Sequence, residues 1–310
     1  MRVLAVDLGG THAECALVED ARVLAKELVA IHDLTALGPI LPLIAASLER
    51  LNRDSSAQGV GFGFCGLVNA RNARVSSTNE KFNDAVEIDL RDWARSQFGL
   101  PLKLENDARL ALLGECYAGA AQQQSEVVMF TLGTGIGGVA MIDGKLLHGK
   151  HGQAGVLGGH MPVRVGGRRC TCGGLGCAES EASGWALPII CHDWPGFAES
   201  ALAQLTINFE NLFSSAAGGD SIAREIQHHC LNVWGAAAVA AIHAFDPELL
   251  VYGGGVMQSA EIIIPFIQDY VNRYAWTPWG KVQVRAAQLG NDAALVGVIP
   301  LFEQENNGVR

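Results

Sequence analysis

The chain has 310 residues, of which 49% are hydrophobic and 17% are charged, a composition that excludes a disordered chain and suits two globular domains. Its formal net charge of −10, without a local run of lysine and arginine, argues against a nucleic-acid partner. The sequence shows neither a secretory signal nor an apolar run of the roughly 18 residues that cross a bilayer, so we expect a cytoplasmic protein without a membrane partner.

The chain opens with a predicted hairpin whose tip is rich in glycine. Apolar runs over 3–6 and 15–18 flank the motif Asp7-Leu8-Gly9-Gly10-Thr11. The two glycines can present backbone N–H groups to a phosphate, the threonine adds a hydroxyl, and the aspartate can reach a hydrated Mg2+. Read alone, these residues fit an ordinary hairpin turn equally well.

Helices and strands alternate in the next segment. We predict helices over 39–51, 90–98 and 108–118, and strands over 59–64 and 101–104. The second of these strands places Glu105-Asn106-Asp107 at a carboxyl strand end, where doubly wound α/β domains bind ligands. The residues alone slightly favour another role for Asp107, as the cap of the following helix.

A second glycine hairpin follows at 127–142. The motif Thr131-Leu132-Gly133-Thr134-Gly135-Ile136-Gly137-Gly138 lies between two apolar runs, as in the first hairpin. Residues 3–20 align with 127–144 without a gap, which places Asp7 on Thr131 and Gly9 on Gly133. This pattern predicts an internal repeat that holds one phosphate chain from both sides, although short glycine turns also recur by chance.

A metal-site spacing follows the second hairpin. His160, Cys170, Cys172 and Cys177 form the pattern H-x9-C-x-C-x4-C, with glycines that let the chain fold back. Such ligands fit one zinc ion in tetrahedral geometry, and four protein ligands leave no position for substrate, so the zinc is predicted to be structural. The alternative is a set of ordinary reduced cysteines beside a surface histidine.

The rest of the chain continues the α/β pattern. We predict helices over 199–213, 219–245, 261–276 and 292–301, and strands over 249–252 and 282–286. A third glycine turn, Gly253-Gly254-Gly255, follows the first of these strands. It suits close approach of a nucleotide, and it equally suits a strand-to-helix turn without a ligand.

Together these motifs resemble the ROK family (repressor, open reading frame, kinase) over essentially the full length. The six motifs are Asp7-Leu-Gly-Gly-Thr11, Glu105-Asn-Asp-Ala108, Thr131-Leu-Gly-Thr-Gly-Ile-Gly-Gly138, Gly158-Gly-His160, Cys170-Thr-Cys-Gly-Gly-Leu-Gly-Cys177 and Gly253-Gly-Gly-Val256. The resemblance implies an α/β, two-lobed actin/hexokinase-like (ribonuclease H-like) fold with duplicated mixed-sheet domains, in which sugar and ATP meet in a cleft. We expect a smaller lobe over 1–118, completed by a C-terminal helix at about 290–310, and a larger lobe over 119–289 that contains the zinc loop 160–177.

The resemblance also implies roles for individual residues. Asp107 is the expected general base, Asn106 and Glu179 are expected sugar ligands, and His160 is expected to bind zinc with one ring nitrogen and a sugar hydroxyl with the other. The residues expected around the phosphates and nucleoside of ATP are Asp7, Gly9, Gly10, Thr11, Gly133, Thr134, Gly135, Gly254 and Gly255. For Glu179, a solvated acid on an exposed loop is the alternative.

One stretch departs from the family pattern. ROK sugar kinases usually read A-G-E-x-G-H, whereas this chain reads Ala154-Gly155-Val156-Leu157-Gly158-Gly159-His160. An apolar side chain at the glutamate position leaves a sugar hydroxyl unpaired, at a cost of roughly 1–3 kcal/mol. We therefore expect an altered choice of sugar, with Gln153 or Glu181 as the available substitutes for the glutamate.

The resemblance predicts an ATP- and Mg2+-dependent kinase with a structural Zn2+, acting on a primary hydroxyl, the 6-hydroxyl, of a hexose. Glucose is the default substrate, and a related hexose or N-acetylhexosamine is also compatible. A non-catalytic ROK-type sugar sensor or regulator is the alternative, and a kinase or ATPase of this fold acting on a non-sugar substrate is a second one. Because Asp7 stands at the start of the sequence, we expect no DNA-binding region. A homodimer is expected from the family.

Overall fold

The computed structural model describes residues 1–32, 34–53, 57–78 and 81–306. The strands are, in chain order, β1 (Arg2–Leu8), β2 (His12–Glu19), β3 (Arg22–Ala30), β4 (Val60–Phe64), β5 (Leu67–Asn69), β6 (Arg74–Ser77), β7 (Leu102–Asn106), β8 (Val127–Leu132), β9 (Ile136–Ile142), β10 (Lys145–Leu146), β11 (Leu249–Gly253) and β12 (Gln283–Ala286). The helices are α1 (Leu41–Leu51), α2 (Leu90–Phe98), α3 (Asp107–Ala118), α4 (Ala178–Ala182), α5 (Leu187–Asp193), α6 (Phe209–Ala217), α7 (Ser221–Phe245), α8 (Ala260–Tyr274), α9 (Ala293–Val296) and α10 (Val298–Asn306).

The chain divides into two compact units. Unit 1 comprises Met1–Gln123, His148–Ala154 and Gln288–Arg310, and unit 2 comprises Gln124–Leu147 and Gly155–Ala287. The last four residues of the predicted C-terminal helix, 307–310, lie outside the described residues. In the described part of the chain, no helix is both long and apolar enough to cross a membrane.

Unit 1 is built on a mixed sheet of order β3-β2-β1-β4-β7. The first three strands are antiparallel, and β1, β4 and β7 run parallel. Every residue of β4 is buried, as expected for a central strand covered on both faces. The C-terminal helices complete this unit, because the buried carboxylate of Glu115 in α3 accepts from the backbone N–H groups of Gln288 and Leu289 at 2.8–3.1 Å.

Unit 2 repeats the same plan with the sheet order β10-β9-β8-β11-β12. Again three strands are antiparallel, while β8, β11 and β12 run parallel. The 25-residue helix α7 supplies much of the core, including the fully buried Trp234. Two α/β units on mixed five-stranded sheets confirm the predicted fold class.

The strand pairing refines the predicted repeat. In β1, Asp7 is the last residue but one, as Thr131 is in β8. Leu8 lies opposite Ala13 in the first hairpin, whereas Leu132 lies opposite Ile136 in the second. The loop of the first hairpin is therefore one residue longer than the loop of the second. The gapless alignment, which matches Ala13 with Gly137, is consequently out of register by one residue after the turn.

Two predicted helices differ from the structure. The helix predicted over 199–213 is a short 3-10 turn at Ala201–Gln204 followed by α6, because Ser200 and Asn208 each begin a separate helix by accepting backbone N–H groups. The helix predicted over 292–301 is divided into α9 and α10 at Gly297. A Cβ atom at Gly297 would lie 1.9 Å from the carbonyl oxygen of Leu110, so close packing on α3 requires glycine there.

Candidate active site

Asp107 lies where the carboxyl ends of three parallel strands meet. The pairing places Leu8, Phe64 and Asn106 side by side at the ends of β1, β4 and β7. Asn106 caps α3 by accepting the N–H of Arg109 at 3.2 Å, which gives Asn106 the capping role that the sequence alone favoured for Asp107. Asp107 is the first residue of the helix, and its side chain remains partly exposed.

The Asp107 carboxylate is oriented by its neighbours. Its Oδ1 accepts from the Asn106 side-chain amide and from the N–H of Ala108, both at 2.8 Å. Burial raises the pKa of Asp107 to about 6, although these hydrogen bonds act in the opposite direction. A carboxyl group with this pKa is largely ionised at neutral pH and can accept a proton, as a general base must.

A second acid, Asp7, belongs to the same edge of the sheet. Burial, together with the negative charges of Asp107 and Glu14, raises the pKa of Asp7 to about 7. Carboxyl groups that repel one another in this way are a common arrangement at sites that bind a cation or move a proton. An oxygen ligand of this kind suits Mg2+.

The first hairpin tip beside Asp7 is short and open. The N–H of Gly9 donates to the carbonyl of His12 at 3.0 Å, which closes the turn. Gly10 has nothing within 4 Å of the position a Cβ would occupy, and its carbonyl accepts from the Lys81 ammonium. Thr11 is exposed, with its hydroxyl 3.0 Å from Nδ1 of His12. The tip therefore leaves room for a phosphate group beside Gly10.

A buried ionic network supports the start of α3, and the sequence analysis missed it. Glu105, which is 1% exposed, lies 3.4 Å from the Arg109 guanidinium and 2.6 Å from Nε2 of His148, and it accepts the N–H of Asn106 at 2.9 Å. Arg109 also donates to the carbonyls of Gly152 and Ala154, both at 2.9 Å. Because Glu105 lies in β7 and Arg109 lies in α3, no helix spacing in the sequence indicated this pair.

In unit 2, the second and third glycine turns lie along one cavity of about 680 Å3. Gly133 and Thr134 of the second hairpin and Gly255 after β11 line this cavity, together with Asn208 and Phe209 at the start of α6. Gly254 has φ +92°, and a Cβ there would lie 2.3 Å from the carbonyl oxygen of Leu132. Glycine is thus required where the third turn packs against the second hairpin.

Glu179 is held firmly beside the second hairpin. Its carboxylate accepts from the N–H of Ile136 at 2.9 Å and from the indole of Trp185 at 3.1 Å, and it lies 3.5 Å from the Thr171 hydroxyl. The side chain is half-buried. The alternative of a fully solvated acid on an exposed loop does not describe this geometry.

The predicted zinc ligands come together. The ligand atoms of His160, Cys170, Cys172 and Cys177 all lie within 4.8 Å of one another. The Cys172 and Cys177 sulfurs are 3.7 Å apart, which matches the edge of about 3.8 Å in a tetrahedron with Zn–S bonds of about 2.3 Å. Nδ1 of His160 faces the Cys170 sulfur at 3.4 Å, leaving Nε2 on the opposite side of the ring. The four residues can therefore hold a zinc ion.

The segment before His160 is packed against the second hairpin. Leu157 pairs with Gly138, and a Cβ atom at Gly159 would lie 1.8 Å from the carbonyl oxygen of Ile136. Of the two suggested substitutes for the missing glutamate, Glu181 is unsuitable, because it is fully buried and bound to Arg164 and Arg168. Gln153 is exposed, and its role stays a prediction.

Comparison with known proteins places this geometry in a family. The ROK family sequence model matches residues 3–305. The glucokinase of Thermotoga maritima is 30% identical over an alignment of 318 positions, covering 99% of each chain. A crystal structure of a ROK family glucokinase from Streptomyces griseus with glucose and AMPPNP superposes with a TM-score of 0.81 at 31% identity, covering 98% of this chain and 100% of that one. A xylose repressor of Caldicellulosiruptor bescii is 23% identical, with 78% of this chain and 62% of the repressor covered. The chain therefore belongs to the ROK family.

Proposed function

We propose that the protein is an ATP- and Mg2+-dependent sugar kinase that phosphorylates a primary hydroxyl, the 6-hydroxyl, of a hexose, with glucose as the default substrate. The observation that carries this proposal is the partly exposed Asp107 carboxylate, oriented by Asn106 and with a pKa of about 6. The full-length similarity to glucokinases supports it.

In the proposed reaction, Asp107 accepts the proton of the sugar hydroxyl as its oxygen attacks the γ-phosphorus of ATP. The new P–O bond forms as the bond to the β-phosphate oxygen breaks, so that sugar phosphate and ADP are the products. Asp7 is the proposed ligand of Mg2+, which would supply positive charge beside the phosphates. Positioning and charge neutralisation do most of the work in such transfers.

The phosphates are assigned to the glycine turns. Gly9, Gly10 and Thr11 in unit 1, and Gly133, Thr134 and Gly135 in unit 2, offer backbone N–H groups and hydroxyls with little side-chain bulk. Gly254 and Gly255 are assigned to the nucleoside. The cavity lined by Gly133, Thr134 and Gly255 supports this assignment, because its volume of about 680 Å3 suits a nucleoside-sized ligand.

Sugar hydroxyls are assigned to Asn106, Asp107, His160 and Glu179. If zinc binds Nδ1 of His160, the ring is fixed with its proton on Nε2, which can then donate to a hydroxyl. The carboxylate of Glu179 is fixed by Ile136 and Trp185 and can accept a hydroxyl proton. Asn106 already makes several protein contacts, so its proposed part is to bind the sugar while orienting Asp107.

An ADP-release assay over a panel of sugars tests this proposal. The panel contains glucose, mannose, N-acetylglucosamine, N-acetylmannosamine and 6-deoxyglucose, the last of which lacks the proposed acceptor hydroxyl. We expect ADP release with at least one hexose and none above background with 6-deoxyglucose. Because Val156 or Leu157 stands at the usual glutamate position, the preferred hexose identifies which hydroxyl tolerates an apolar neighbour. Absence of sugar-dependent ADP release across the panel would contradict the proposal.

The second candidate is a sugar-binding regulator without catalysis, and the similarity to a xylose repressor favours it over other non-enzymatic roles. A regulator of this kind would be stabilised by a sugar in a thermal-shift experiment while releasing no ADP with that sugar. Stabilisation and turnover with the same sugar would instead favour the kinase.

A further inference from the structure

A second cavity, of about 510 Å3, lies within unit 1 between the β5–β6 hairpin and the segment 148–152. Its polar lining side chains are Asn69, Arg71, Ser76, His148, Lys150 and His151. Among the described residues that line it, none is acidic. Two permanent cations and two imidazoles therefore face one cavity in a chain whose formal net charge is −10.

Both walls of this cavity are fixed in place. On one side, Gly152 has φ +70°, and a Cβ there would lie 2.5 Å from the carbonyl oxygen of Val68, so the segment packs directly on β5. Arg109, which is 1% exposed, holds the carbonyl of Gly152. On the other side, the Arg91 guanidinium donates to the carbonyl of Arg71 at 2.8 Å.

The chemistry of the lining favours a phosphate group. A guanidinium binds two phosphate oxygens in a forked geometry, an ammonium adds a second positive charge, and imidazoles add hydrogen-bond donors. The hydroxyl of Ser76 and the amide of Asn69 can bind the remaining oxygens. The volume is larger than inorganic phosphate fills and lies within the range of about 300–1,000 Å3 that is typical of sites for small organic ligands.

We propose that this cavity binds the phosphate group of an anionic ligand, either a phosphorylated small molecule or free phosphate. None of its lining residues is assigned to the sugar, the nucleotide or the zinc, so the site is additional to the proposed reaction. The proposal does not depend on kinase activity.

The cavity is connected to the start of α3. Nε2 of His148 contacts the Glu105 carboxylate at 2.6 Å, and Glu105 holds the N–H of Asn106, the residue before Asp107. His148 is 37% exposed while Glu105 is 1% exposed, so the imidazole reaches from the cavity into the buried network. A ligand in the cavity would thus be linked to Asp107 through His148, Glu105 and Asn106.

Isothermal titration calorimetry on the full chain tests the site. The probes are inorganic phosphate, glucose 6-phosphate and neutral glucose, each added with saturating magnesium AMPPNP so that other phosphate-binding groups are occupied. We expect the double variant Arg71→Ala/Lys150→Ala to weaken binding of at least one phosphate probe tenfold or more. The matched control Arg53→Ala/Lys281→Ala removes the same charge from exposed positions and should change Kd less than twofold.

The probes also distinguish the sources of the phosphate. Tighter, cavity-dependent binding of glucose 6-phosphate supports a phosphorylated small molecule, and equal cavity-dependent binding of both probes supports phosphate itself. The proposal is overturned if the cavity and control variants have equal Kd values, or if the wild type binds neither probe. Lys150→Glu, at an exposed position, provides a second variant that should abolish binding without unfolding the protein. Because the comparison is between variants, it gives an answer even if no sugar is phosphorylated.

Discussion

The two glycine hairpins occupy the same place in their sheets and offer different chemistry. The first, β1–β2, has Asp7 at the position where the second, β8–β9, has Thr131. Around the first lie the carboxyl groups of Asp7 and Asp107, whose pKa values are raised by burial and, for Asp7, also by neighbouring negative charges. Around the second, glycines allow backbone contact, as where a Cβ at Gly138 would lie 2.6 Å from Gly158.

The two copies of the repeated hairpin therefore suit different roles in one reaction. The first hairpin keeps the acids that suit proton transfer and cation binding, and its tip is open around Gly10. The second is held by the segment that leads to the zinc ligands, by Glu179 and by Gly254, and offers a rigid backbone surface. Changes at the first should therefore alter catalysis, and changes at the second should alter stability and nucleotide affinity.

The largest expected effect comes from Asp107→Asn. The amide cannot accept the hydroxyl proton, so we expect kcat to fall roughly 10²- to 10⁴-fold while the fold is kept. The coupled ADP-release assay with the preferred sugar measures this. Asp92→Asn, at an exposed position on α2, is the control and should retain wild-type activity. Undiminished activity of Asp107→Asn would remove the proposed base.

The pH dependence of kcat/KM should report the ionisation of both Asp7 and Asp107. The pKa values of Asp7 and Asp107 are raised to about 7 and about 6, and both carboxylates are needed in the ionised form. The value of kcat/KM should therefore be constant above about pH 8 and fall as pH decreases, approaching a hundredfold loss per pH unit below about pH 5.5. Measurements from pH 5 to 8.5 at limiting Mg2+ would check this. Saturating Mg2+ should displace the proton from Asp7, so that kcat/KM falls only tenfold per pH unit below about pH 6. A profile that stays flat down to pH 5 would contradict the assignment.

Loss of zinc should act through the second hairpin region. Elemental analysis should find one zinc ion per chain, and Cys177→Ser should lose it, lowering Tm and raising KM for the sugar through a misoriented His160. Cys191→Ser, at a buried cysteine away from the metal ligands, is the control for loss of a buried thiol and should keep its zinc. A wild-type zinc content in Cys177→Ser would remove Cys177 from the ligand set.

The smallest expected effect compares two adjacent glycines beside the second hairpin. Gly254→Ala introduces a Cβ at φ +92° and 2.3 Å from the Leu132 carbonyl oxygen, which should cost about 1–3 kcal/mol of stability and raise KM for ATP. Gly255→Ala is the matched control, since nothing lies within 4 Å of its Cβ position. Thermal unfolding should show a lower Tm for the first variant and little change for the second, and equal Tm values would contradict the packing argument.

The sequence predicted those features that depend on local patterns. The α/β alternation, the glycine hairpins and the clustering of the four zinc ligands followed from apolar runs, turn residues and ligand spacing, whereas the two-lobed fold class followed from the family resemblance. The exposed strand β3 was missed because its apolar residues form two short runs that are separated by Lys26 and Glu27. The roles of Asn106, Glu179 and His160 toward a sugar, and the homodimer, stay predictions.

Contacts between distant segments could not be predicted from the sequence. Nothing local indicates that His148 meets Glu105, which lies 43 residues earlier, or that Glu115 holds the segment at 288–289. Glu181 was one of the two suggested substitutes for the missing glutamate. Its complete burial against two arginines depends on tertiary packing, which residue spacing does not report.

The extra residue in the first hairpin loop determines whether the two hairpins are interchangeable. Leu8 lies opposite Ala13, while Leu132 lies opposite Ile136, so residues matched by the gapless alignment point to opposite faces of their sheets after the turn. A graft of the second hairpin's return strand into unit 1 at the aligned positions would turn each of its side chains to the opposite face of the sheet. Deleting one loop residue would restore the register, but it would also shorten the tip that carries Gly10. The two copies have therefore become distinct parts, each fitted to its own sheet.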